Sequence, residues 1–168
     1  MINYKLRVKN LVNKHGTSNP FDLAKALDLK IIYAPLPSNI RGFLARVLKR
    51  KYIILNDTLC YQAQKLTICH EIGHAQLHNG YGYYLHADNT YYVPSTREYE
   101  ANKYAIHLLS YSNDINADLI SEVINDKRPD PHLVHTILST FMECDANWPY
   151  RQNKNLQSNK MDVGFHCK

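Results

Sequence analysis

His70-Glu71-Ile72-Gly73-His74 constrains this chain more than any other stretch. Successive residues of an α-helix step about 100° around its axis, so His74 lies roughly 40° from His70, and Glu71 about 100° from it. All three share one face of one helix. Two imidazoles at i and i+4 can each offer a ring nitrogen to one Zn²⁺, and the carboxylate between them then stands beside the metal rather than on it. This is the H-E-x-x-H arrangement of zinc peptidases. With nine histidines in the chain, about one shuffled copy in a hundred would contain the motif by accident, so its surroundings have to support it.

The surroundings read as a helix over residues 60–78. Leu59, Ala63, Leu66 and Leu77 fall on the side of the two histidines, and Ile68, Ile72 and Ala75 form a second apolar strip opposite. A helix that is apolar on both sides is central to its domain. Gly80 supplies a C-terminal stop. Two imidazoles and a carboxylate buried on such a helix need partners.

A metal held by two histidines needs a further protein ligand. Residues 97–110 read as another helix, on which Glu98 and Glu100 lie about 200° apart, so only one of them can face a given neighbour. With Glu98 as the zero of the wheel, Ala101, Ala105, Leu108 and Leu109 fall within about 80° of it, while Glu100 groups with Lys103, His107 and Ser110 on the polar side. Glu98 therefore points into the core, where a carboxylate must pair, coordinate or protonate. Capping of the helix N-terminus is the alternative role for it. Asn102 sits one turn further on the same face, where its side-chain carbonyl can accept a hydrogen bond from the outward nitrogen of a liganding histidine; an asparagine at an exposed helix edge fits the spacing equally. A metzincin continuation is absent, because Leu77 stands where that motif has glycine and Gly80 where it has histidine. His78, the remaining candidate ligand, reads as a surface histidine at a helix C-terminus.

His70-Glu-Ile-Gly-His74 followed by Glu98-Tyr-Glu-Ala-Asn-Lys-Tyr-Ala-Ile-His-Leu-Leu109 closely resembles the ImmA/IrrE family of metallopeptidases. Gly42-Phe-Leu-Ala-Arg-Val47 and Tyr52-Ile-Ile-Leu-Asn-Asp-Thr-Leu59 resemble the strands that lead into that family's active-site helix, and the likeness runs over about residues 3–143. The chain departs from the family in having Tyr104 where phenylalanine is frequent and Ser110-Tyr111 where Met-Pro is frequent. The resemblance implies that Glu98 is the third zinc ligand, in agreement with the wheel. It also implies a substrate that is a helix-turn-helix repressor of a mobile element or of a stress or toxin-antitoxin system.

The expected architecture is α+β: a small zincin-like domain with a short, mostly antiparallel sheet packed on the central H-E-x-x-H helix and further helices around it. Residues 3–14 read as a first helix, and Asn19-Pro20 opens a second with proline at N1. Leu29–Ala34 is β-rich, and Gly42–Leu48 with Lys51–Asn56 forms a hairpin after the Pro35-Leu-Pro37 breaker. Helices at 114–126 and 131–143 close a single domain over 1–143. Residues 144–168 form a polar tail. The tyrosine-rich stretch at 81–92 reads as a lid or one wall of a cleft.

No stretch is long and apolar enough to span a bilayer, and no signal peptide opens the chain, so a cytoplasmic protein with no membrane partner is expected. Cys60, Cys69, Cys144 and Cys167 show no C-x-x-C pair, and free thiols are expected. Arg41, Arg46, Lys49, Arg50 and Lys51 cluster at the hairpin turn, which fits a solvated tip as well as a region that steers an acidic partner. No DNA-reading module is evident in its usual form, and direct nucleic-acid binding is not expected.

These readings converge on a zinc-dependent endopeptidase acting on a protein partner. His70, His74 and Glu98 hold one zinc ion with a fourth position left for water, and Glu71 is the catalytic acid-base. The edge of the strand at Gly42–Val47 can hold an extended substrate. Tyr83, Tyr84, Tyr91, Tyr92 and His86 are candidates for stabilising the oxyanion. The competing reading is a non-catalytic, zinc-containing binding protein, an antirepressor or antitoxin acting by contact, which the thirteen tyrosines would also suit.

Overall fold

The computed structural model describes residues 2–78, 96–111, 133–134 and 137–138 of the 168. The stretch at 81–92, the helix expected at 114–126, most of that expected at 131–143, the tail from 144 and the Gly80 stop lie outside the described residues. Residues 133–134 and 137–138 are helical, and Val134, Ile137 and Leu138 are buried in the core.

Helix α1 spans Tyr4–His15, with Asn3 as its N-cap accepting a 2.9 Å bond from the Leu6 amide. It ends at Gly16 (φ 68°), whose amide bonds the Val12 carbonyl. That left-handed position suits glycine because a Cβ there meets its own backbone. Helix α2 spans Pro20–Ala26, and Asn19 accepts from the Phe21 amide at 2.9 Å. Strands follow at β1 (Leu29–Ala34), β2 (Gly42–Val47) and β3 (Arg50–Asn56), then the long helix α3 (Tyr61–Leu77) and α4 (Thr96–Leu109).

The three strands form one sheet in the order β1-β3-β2. It is mixed: β1 runs parallel to β3, and β2 pairs antiparallel with β3 through the hairpin. The central place is taken by β3, and β1 and β2 are the two edges, within the antiparallel or mixed sheet that the sequence allows. Ile53 and Leu55 of β3 are fully buried in the main core together with Leu66, Ile68 and Ile72 of α3. Asn56 closes the end of this layer. Its buried side-chain amide donates to the Leu36, Pro37 and Ile40 carbonyls, and its oxygen accepts from both the amide and the hydroxyl of Thr58. One side chain thereby satisfies the backbone of the proline-containing loop that connects β1 to β2.

Helix α3 is buried along nearly its whole length, from Ala63 to Ala75, as a strip of apolar residues on each side requires. Helix α4 departs from the expectation of one polar side. Lys103 and His107 are 4% exposed, because α1 covers that side: the Tyr4 ring lies under the Lys103 ammonium at 5.0 Å and stacks on His107. Cation–π contact and the apolar stem let a lysine sit there. Cys69 is a buried thiol outside any disulfide, whereas Cys60 is disulfide-bonded, correcting the expectation of thiols throughout. Spacing along the chain does not report which cysteines approach in space.

Candidate metal centre

His70, Glu71 and His74 lie in the middle of α3 and are each at most 1% exposed. The i, i+4 spacing brings the two imidazoles edge to face, with centroids 4.6 Å apart and planes at 72°. Their Nε2 atoms are 2.8 Å apart. Glu98, in the first turn of α4, reaches across to both: its Oε2 lies 3.3 Å from His70 Nε2 and its Oε1 3.3 Å from His74 Nε2.

Three potential ligand atoms thus fall within 4.8 Å of one another on two facing helices. A tetrahedral ion with bonds of about 2.0–2.2 Å sets neighbouring donors roughly 3.3–3.6 Å apart. The two nitrogen-to-carboxylate distances match that spacing, and the nitrogen pair needs to open by only about half an ångström. The donors are two imidazole nitrogens and one carboxylate, the chemistry of a divalent transition-metal site with an open position. The residues present fit the ion.

The same contacts set the charge of Glu98. Burial pushes the Glu98 carboxyl up, but hydrogen bonds from His70 and His74, with their charge, outweigh it and hold the group well below the usual carboxylate range. Glu98 is therefore an anion in the core.

Gly73 explains how α4 comes this close. A Cβ at that position would stand 3.1 Å from the Ala101 carbonyl oxygen and 3.2 Å from both Ala101 Cα and Tyr104 Cβ. The missing side chain is the space into which α4 packs. Asn102, one turn beyond Glu98, is 1% exposed, which excludes the exposed-edge alternative. Glu71 is completely buried beside His70.

Glu100 and His78, the two ligand candidates passed over in the sequence, meet each other. His78 Nε2 lies 3.7 Å from Glu100 Oε2 and 3.2 Å from the Arg97 carbonyl oxygen. The His78 side chain is 7% exposed, so it is more buried than a surface position at a helix end implies. Burial and the neighbouring His74 lower its pKa, against the opposing pull of the Arg97 carbonyl and Glu100. It stands at the C-cap of α3, with φ −121° and ψ 64°, the helix C-terminus at which the sequence places it. The oxyanion candidates Tyr83, Tyr84, Tyr91, Tyr92 and His86 lie outside the described residues.

Comparison with known proteins gives two findings. The family model described as Peptidase_M78, IrrE N-terminal-like domain, matches residues 24–136. A Bacillus phage phi105 protein described as "Uncharacterized immunity region protein 2" is 37% identical over 106 residues, covering 62% of this chain and 66% of that relative. The match thus spans slightly less than two thirds of the relative's length.

Proposed function

The chain belongs to the Peptidase_M78 family, whose model covers residues 24–136 and with them the whole centre, and from that premise we propose that it is a zinc-dependent endopeptidase whose substrate is a helix-turn-helix repressor. The observation that carries this reading is the meeting of His70, His74 and Glu98 at 3.3 Å across two helices. These three residues hold the metal. Zinc is favoured by the His₂Glu donor set; when bound, the ion supplies Lewis acidity to the scissile carbonyl and lowers the pKa of a water.

The chain's own residues do the rest. Glu71, on the histidine face of α3, takes the proton from the attacking water and returns it to the departing amine nitrogen as the C–N bond breaks. Its burial keeps solvent from competing for that proton. Asn102, buried one turn beyond Glu98 on α4, would steady a histidine ring by closing its side-chain carbonyl on that ring's outward nitrogen, a contact this structure does not make. β2 occupies an edge of the sheet, and its first residue, Gly42, adjoins Thr67 one turn before the motif. An extended substrate segment added along that edge would lie beside the centre. The repressor assignment draws on the family likeness and on the phage relative, which is described as an immunity region protein.

The test is a comparison of wild-type protein with Glu71→Gln, both zinc-loaded, against a host-cell proteome read by mass spectrometry of new N-termini. New termini from a repressor should appear with wild type, vanish with chelator, and fall by about 10²–10⁴-fold in rate with Glu71→Gln at unchanged zinc content. Equal cleavage by the variant would remove the proton-transfer role. Intact partner in a persistent complex would support the contact-only protein instead.

A further inference from the structure

The sheet carries a charge pattern that the metal centre does not use. Between Asp28 and Asp57 the chain has six cations, Lys30, Arg41, Arg46, Lys49, Arg50 and Lys51, and no carboxylate. This segment alone is +6 in a chain of net +5, so everything else sums to −1. Four of the six surround the β2–β3 turn.

That turn is built at a cost to the fold. Val47 pairs with Arg50, and the two residues between them, Leu48 (φ 48°) and Lys49 (φ 68°), both occupy the left-handed region. A two-residue hairpin of this kind ordinarily takes Asn-Gly or Asp-Gly, since larger side chains are strained there. Directly behind it Arg46 lies opposite Lys51 in the antiparallel register, a like-charge pair of the kind that destabilises a sheet. Leu48, at the apex, is 92% exposed and Val47 49%. Strain, repulsion and an exposed leucine gathered on one protruding ribbon have no explanation in packing.

Although the sequence holds no DNA-reading module of the usual form, we infer that the β2–β3 hairpin is a contact surface for the phosphate backbone of duplex DNA. A segment of this length without a carboxylate is matched to a uniformly negative partner, whereas protein surfaces mix both signs. Lysine, moreover, is depleted at protein–protein interfaces but serves well against phosphates. A two-stranded antiparallel ribbon fits a DNA groove, and an apolar apex can press against base edges or steps. An anionic membrane is the poorer match. The two aliphatic side chains have roughly half the carbons of a myristoyl chain, which itself binds membranes only marginally. The surface does not depend on the peptidase reading, although an enzyme held on DNA would meet a DNA-bound substrate more often.

The experiment is fluorescence anisotropy of the full chain with a random-sequence duplex of about 20 base pairs. Four phosphate contacts predict a log–log salt slope near −3.6, or about 50-fold weaker binding at 150 mM than at 50 mM salt. Lys49→Glu/Arg50→Glu should abolish measurable binding, and Leu48→Ser should weaken it a few-fold. Lys9→Glu/Lys14→Glu, with the same charge change on exposed α1 positions, should retain the greater part of the affinity. Circular dichroism melts of each variant separate loss of contact from loss of fold. Three outcomes overturn the inference: no binding at 50 mM salt, equal losses in the hairpin and α1 variants, or tighter binding to phosphatidylserine vesicles than to DNA.

Discussion

Gly73→Ala tests how closely the centre depends on the approach of α4 to α3. A methyl group at residue 73 would meet the Ala101 carbonyl oxygen at 3.1 Å and Ala101 Cα and Tyr104 Cβ at 3.2 Å each, where carbon contacts are favourable near 3.5–4.0 Å. Two of these atoms are backbone, so a rotamer change cannot relieve them; α4 has to shift by about 0.4 Å. Replacing a helical glycine by alanine gains about 1 kcal/mol from the backbone, and overpacking costs about 1–3 kcal/mol. The net effect on stability therefore runs from neutral to about 2 kcal/mol of destabilisation. Zinc affinity should suffer more, because Ala101 is three residues from Glu98 and moves it away from His70 and His74, and ligand distances tolerate only about 0.2 Å. A loss of ten- to a hundredfold is expected, the size seen when ligand support is removed. Thermal melts with chelator give the first quantity, and competition with a zinc-binding dye gives the second. A variant stabilised by about 1 kcal/mol with wild-type zinc affinity would refute the reasoning, since α4 would then have room to spare.

Two further outcomes follow from the same geometry. Glu98→Ala should lose stoichiometric zinc while Glu100→Ala keeps it, as measured by elemental analysis after dialysis; the reverse result would mean that α4 presents its other face. His107, whose pKa burial and the nearby Lys103 and Lys5 lower to about 4 from 6.5, stays neutral in the fold at a pH where the unfolded chain already binds a proton. Stability should therefore fall with pH between about 6.5 and 4, by up to about 3 kcal/mol, and His107→Gln should flatten that slope in urea titrations of the metal-free protein.

Where residue preference and capping chemistry determine an element, the sequence shows it to within a residue or so: Asn19-Pro20 starts α2, and the β-rich run at Leu29–Ala34 is β1. The assignment of Glu98 rather than Glu100 to the histidine pair also follows from a wheel, because only one of them shares a face with Ala101 and Ala105. Other features depend on which elements meet, and a wheel contains no such information. Lys103 and His107 look solvated until Tyr4 of α1 is laid over them. The central position of β3 follows from how the chain crosses from β1 to β2, not from the residues of β3. Asn56 reads as the end of a strand, yet it binds three carbonyls of a loop that precedes it by some twenty residues. Gly73 reads as an unremarkable x of the motif until the backbone of α4 is found against it.

The fate of His78 bears on whether the centre is suited to catalysis or to structure. A structural zinc site is closed by four protein ligands, whereas a catalytic one keeps a position free. One turn beyond His74, a histidine is the obvious fourth donor, and the His74 and His78 rings lie only 5.4 Å apart. Yet α3 ends at that residue, and its Nε2 is directed to the Arg97 carbonyl and Glu100 instead of to the cluster of His70, His74 and Glu98. Glu100 is available for this because it lies about 200° around α4 from Glu98. Two glutamates two residues apart thus divide three histidines between them, and the second pairing withholds the fourth donor from the first. Among the described residues three candidate ligands converge while a nearby histidine is held elsewhere, the arrangement that the proposed hydrolysis would need.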